Sequence, residues 1–155
     1  MDLKLRQIIN LIEKKLMRDN LKVFLDSNIV IYAYRNDENT KQQISKQLIA
    51  EQGVVISTQV LQEMANTLHR KFKADYNIVR SLLTECLQNI TKLHINTQHT
   101  ILKACNVADR YHFSFYDSLI IAAAIESECS ILYSEDMQHN MKIENQLTIF
   151  NPFLP

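Results

Sequence analysis

Four carboxylates stand in apolar stretches where a plainly solvated acid would be out of place. Asp26, in F-L-D-S-N-I-V-I-Y, is the only charge between Lys22 and Arg35; Glu63 ends Q-V-L-Q-E, Asp117 lies in F-Y-D-S-L-I-I-A-A-A, and Asp136 lies in I-L-Y-S-E-D-M. Each has a structural use of its own. Asp26 suits an Asx turn or N-cap, and Asp117 fits the S-x-x-D form of a capping box that begins at Ser114. Glu63 suits a solvated helix face and Asp136 an exposed loop. As a group they behave differently, because ionised carboxylates gathered in partly buried space repel and lose hydration. They must then either take up protons or hold a cation. An all-oxygen set without histidine favours Mg²⁺ or Mn²⁺ over Zn²⁺, and Mg²⁺ keeps several waters when one or two carboxylates hold it. Such waters are the nucleophiles of metal-assisted hydrolysis.

The elements that must gather these acids follow from hydrophobic patterning. Leu21–Leu25, Val54–Ile56, Thr91–Ile95 and Ser130–Tyr133 are short apolar runs that read as strands, with Gln146–Phe150 as a fifth. Helical patterns cover 27–34, 40–52, 59–73, 75–89, 97–110 and 115–128, and Gly53 stops the second. The last is apolar around its whole circumference, which predicts a buried central helix. Strands without polar alternation, separated by helices, predict an α/β fold of three layers with a mostly parallel central sheet. Ligands of such sheets bind beyond the carboxyl ends of the strands. All four acids stand just past a strand or on a helix that a strand feeds. Leu5, Ile8, Ile9, Ile12 and Leu16 share one helix face, so residues 1–20 read as an amphipathic helical extension ahead of a single domain at 21–155.

Composition narrows the function classes. Seventeen basic and seventeen acidic residues cancel, so a polyanion would be met by local groups rather than bulk charge. Arg70, Lys71, Lys73 and Arg110 are candidates. The single glycine excludes the P-loop and Rossmann phosphate cradles, which need several. Cys86, Cys105 and Cys129 make no C-x-x-C pair and read as reduced, mostly buried thiols of a cytosolic protein. No apolar run approaches the ~20 residues of a membrane span, and no secretory leader is read, which predicts a soluble cytoplasmic chain without a membrane partner. The five histidines show no H-E-x-x-H or triad spacing, and His139 reads as a solvent-facing loop residue. An aspartyl phosphatase would need D-x-D, whereas Asp26 is followed two residues later by Asn28.

In this order, F-L-D-S-N-I-V-I-Y, Q-V-L-Q-E, F-Y-D-S-L-I-I-A-A-A and I-L-Y-S-E-D-M resemble the PIN-domain ribonucleases, most closely the VapC-like toxins of bacterial toxin–antitoxin pairs. The resemblance runs from Val23 to Pro155. It implies a PIN-like fold and hydrolysis of RNA phosphodiesters dependent on Mg²⁺ or Mn²⁺, with Asp26, Glu63, Asp117 and Asp136 as the acidic metal site and catalytic residues. Asn28 and Ser134 match the polar positions that orient those acids. It further implies a homodimer and a small antitoxin protein as partner. The contrasting reading is a catalytically silent PIN-like module that binds RNA or protein. Two departures from the family are the N-terminal extension and Asn140, where relatives often have glycine.

Overall fold

The computed structural model describes residues 6–7, 10, 21–35 and 39–155. The amphipathic segment read in residues 1–20 lies outside these, apart from positions 6, 7 and 10. Six strands form one sheet: β1 (Val23–Leu25), β2 (Val54–Ser57), β3 (Lys92–His94), β4 (Ile131–Tyr133), β5 (Lys142–Ile143) and β6 (Leu147–Phe150). Six helices connect them: α1 (Ser27–Ala33), α2 (Thr40–Ala50), α3 (Thr58–Arg70), α4 (Tyr76–Asn89), α5 (Gln98–Tyr111) and α6 (Phe115–Glu126). The elements expected within 21–155 are present within a few residues of their expected limits, and β5 is additional. Its two residues carry no periodicity; it exists because Lys142 and Ile143 pair antiparallel with Thr148 and Leu147.

The strand order is β3-β2-β1-β4-β6-β5, parallel throughout except for β5. Every residue of β1, β2 and β4 is buried, which is why these strands read as unbroken apolar runs. The chain leaves β1 toward β2 and β3 on one side and returns to β4 and β6 on the other. The gap beyond β1 and β4 is therefore the topological switch point, where open α/β sheets bind ligands. Helices cover the sheet in the three-layer arrangement. α1 packs on α2 and α3, and α3 on α4, while α5 and α6 pack on each other. α6 is enclosed, with all of Ser118–Ile125 buried, as its unbroken hydrophobicity predicts.

Two backbone details fix the frame. Gly53, at φ +79°, turns the chain from α2 into β2, and a Cβ there would meet the Leu21 carbonyl oxygen at 2.8 Å. Asn140 takes φ 63°, the left-handed turn that its frequent glycine counterpart would enter without cost, and its N–H donates to the Ile149 carbonyl at 2.8 Å. The cysteines divide: Cys86 and Cys129 are buried, but Cys105 is exposed on α5, where its helical spacing gave no warning.

Candidate active site

The end of β1 sets the floor of the site. The Asp26 backbone N–H continues the ladder to the Tyr133 carbonyl of β4 at 3.0 Å, which pins the Cα, and the residue then caps α1 in an extended conformation. The residue is only 6% exposed. Oδ1 accepts from the Ser27 N–H at 2.7 Å, and Oδ2 accepts from the Ser134 hydroxyl at 2.7 Å and from Asn28 Nδ2 at 3.4 Å. The N-cap role expected for this residue is real and coexists with its place in the acid cluster. Burial pushes its pKa from 3.8 up to about 6; the bonds from Ser134 and Ser27 pull it down, and the charges of Glu63 and Asp117 push it further up. That repulsion records that three of the four acids share one electrostatic neighbourhood.

Asn28 reaches the fourth. Its Nδ2 donates to Asp136 Oδ2 at 3.1 Å as well as to Asp26, while its Oδ1 accepts the Glu135 N–H at 3.3 Å. Ser134 spans the same gap from below, donating to Asp26 and accepting the Asp136 N–H at 3.3 Å. Both expected orienting residues thus touch two acid segments each. Exposure rises outward: Asp26 is buried, Glu63 and Asp117 are half-buried, and Asp136 is exposed.

Asp117 enters on the first turn of α6. Ser114 Oγ accepts the Asp117 N–H at 3.2 Å, but the carboxylate does not return the bond that would complete a capping box. The box forms instead at α5, between Thr97 and Thr100. The Asp117 carboxylate is therefore not consumed by helix capping. Glu63 lies on the second turn of α3, and Gln59, one turn earlier, donates to Glu63 Oε1 at 2.7 Å and to the Tyr116 carbonyl at 3.1 Å.

Sequence reasoning missed Gln59, Glu135, Tyr32 and Lys41. Glu135 accepts from Tyr32 Oη at 2.7 Å and from Lys41 Nζ. Burial works to raise its pKa, but the bonds from Lys41 and Tyr32 outweigh it and the carboxylate lies below its ordinary range. Its carbonyl accepts from Asn151 Nδ2 at 3.4 Å, which ties the final segment of the chain to the acid loop. His139 belongs to the same tie rather than to solvent: it is half-buried, accepts the Asn151 N–H at 3.0 Å, and packs on Phe150 with ring centroids 4.7 Å apart. Arg70, Lys71 and Lys73 are exposed, and Arg110 stacks over Tyr111. A cavity of about 430 Å³ between α1, α2 and α4 contains none of the four acids.

The residues fit a hard divalent cation in their chemistry. All donors are oxygen, the buried Asp26 is disfavoured as an anion, and among the described residues the ion pairs join other groups. The amide oxygen of Gln59 is buried beside them without a hydrogen-bond partner. Among the described residues, no three His, Cys, Asp or Glu side chains converge closely enough to enclose a metal ion unaided.

A doubly wound α/β domain with an acidic cleft at the switch point of its sheet is the class that fold and geometry define. The PIN domain model matches residues 23–142, a stretch that includes all four acids, and the chain belongs to the PIN domain family. Among solved structures, it is similar to VapC20 of Mycobacterium tuberculosis, described as a sarcin-ricin loop cleaving toxin. The TM-score is 0.60 at 18% identity, over 74% of this chain and 92% of that one. Comparison with curated proteins returns no match.

Proposed function

We propose that this chain is a ribonuclease that hydrolyses RNA phosphodiester bonds with Mg²⁺ or Mn²⁺, and that it acts as the toxin of a toxin–antitoxin pair. The observation that carries the reading is the buried Asp26, raised to about 6 by desolvation and by Glu63 and Asp117, at the switch point of a PIN domain. Asp26, Glu63, Asp117 and Asp136 are the residues that would hold the ion. When bound, the ion supplies an acidified water and positive charge against the phosphate. The chain's part is placement. Ser134 and Asn28 donate to Asp26 Oδ2 and the Ser27 N–H to Oδ1, which aims the carboxylate and offsets part of the burial penalty on its charge, and Asn28 carries that geometry to Asp136. Nuclease activity resides in residues 21–155 in this reading. The partners in this reading are substrate RNA, a cognate antitoxin and a second copy of the chain, in the cytoplasm. Among the described residues, no helix is long and apolar enough to cross a membrane.

One observation favours the silent binding module, namely that among the described residues no three potential ligand side chains converge. Incubating RNA with the protein in Mn²⁺ and in EDTA separates the two. The nuclease reading predicts cleavage in Mn²⁺ alone, and loss of cleavage in a folded Asp117→Asn variant. Equal cleavage by that variant refutes the site. The toxin role predicts growth arrest on expression that Asp26→Ala relieves.

A further inference from the structure

The amide of Gln59 can be oriented without ambiguity. One end of it meets the Glu63 carboxylate at 2.7 Å and the Tyr116 carbonyl at 3.1 Å, and both partners only accept, so that end is the nitrogen. Oε1 is thereby committed to the opposite side. There it is buried and without a partner, on a residue that is only 5% exposed. Leaving a buried amide oxygen unsatisfied carries a cost, so what the residue supplies at this place is the pair of bonds from its nitrogen. Those bonds fix the Glu63 carboxylate against the first turn of α6, next to Asp117, which is the outer-layer support that a carboxylate ligand needs.

We propose that Gln59 is a positioning residue of the acid cleft: its N–H group holds Glu63 and aims it at the divalent cation. This rests on the metal-dependent reading above and adds to it a residue that acts through Glu63. The bare structural alternative makes Gln59 a brace between helices, felt by stability and not by the ion.

Mn²⁺ titration of the metal-free full-length protein, followed by the loss of free-ion EPR signal, distinguishes the two. Gln59→Met keeps the length of the side chain and removes both donor and acceptor. It should weaken Mn²⁺ binding by ~10–100-fold, the usual cost of an outer-layer partner. The double variant Gln59→Met/Glu63→Ala should bind no more weakly than Glu63→Ala alone, because the path through Glu63 is already gone. Gln59→Asn, which withdraws the amide by one methylene, should weaken binding too and serves if the methionine variant does not fold. Wild-type affinity in these variants, or a loss that simply adds to that of Glu63→Ala, overturns the proposal. A wild-type protein that binds no Mn²⁺ overturns the metal-dependent reading itself, a different result from a wild type that binds with a Gln59 variant its equal.

Discussion

Replacing Asp26 by Asn should make the metal-free protein more stable, and only above the pH at which Asp26 ionises. In the folded chain this carboxyl titrates near 6 against an ordinary 3.8, chiefly because burial disfavours its charge. Below 3.8 it is neutral in both folded and unfolded states and affects nothing. As pH rises toward 6 the unfolded chain loses the proton first, so folding carries a growing penalty, which is complete above 6. The gap between 3.8 and about 6 corresponds to ~3 kcal/mol at 1.36 kcal/mol per unit. Asparagine keeps the bond from the Ser27 N–H and remains a good N-cap, but its amide nitrogen would face Asn28 Nδ2, so the net gain should be ~1–3 kcal/mol. For a chain of this length that is a rise of roughly 3–10 °C in Tm. Thermal melts of both proteins in EDTA, at pH 3.5 and pH 7.5, read the difference directly. The variant should gain on wild type between the two values, and added Mn²⁺ should then stabilise wild type more than the variant. A stability gap that does not change with pH would refute the claim that Asp26 is a strained anion, and with it the strongest physical argument for a cation at this place.

Two further outcomes test the frame around the site. Gly53→Ala should lower stability by ~1–3 kcal/mol in urea denaturation, because φ +79° is unfavourable for alanine and the new Cβ would meet the Leu21 carbonyl at 2.8 Å; an unchanged midpoint would contradict the turn. A thiol reagent at neutral pH should modify Cys105 alone in the folded protein, since burial pushes the Cys86 and Cys129 thiols up to about 11 and about 12, with all three reacting only in denaturant.

Legibility in the sequence followed the range of the interaction. β1, β2 and β4 were readable because both of their faces are buried, so each residue alone reports the environment. Asp26 and Asp117 were readable because a charge among apolar neighbours needs a reason. The PIN domain match bears out the fold that these patterns and motifs implied. The partners of Glu135 were not readable: Tyr32 and Lys41 lie 103 and 94 residues away in the chain, and no local pattern links a lysine in one helix to an acid in a distant loop. The acid itself was in view, immediately before Asp136, and was passed over for its neighbour. Gln59 was invisible for a related reason, since a glutamine one turn before a glutamate is ordinary in any helix until the buried second end of its amide is seen. Cys105 and β5 show the same limit at smaller scale.

The strand order bears on when the site comes into being. Asp26 is displayed by the first strand of the sheet, yet the hydroxyl that holds it belongs to Ser134, and the strand leading to that serine follows β2 and β3 in the chain and pairs on the other side of β1. No partial chain from the amino end, even one that includes Asp26, Glu63 and Asp117, contains the assembled cleft. The acids are brought together only when the chain is available as far as Ser134 and Asp136.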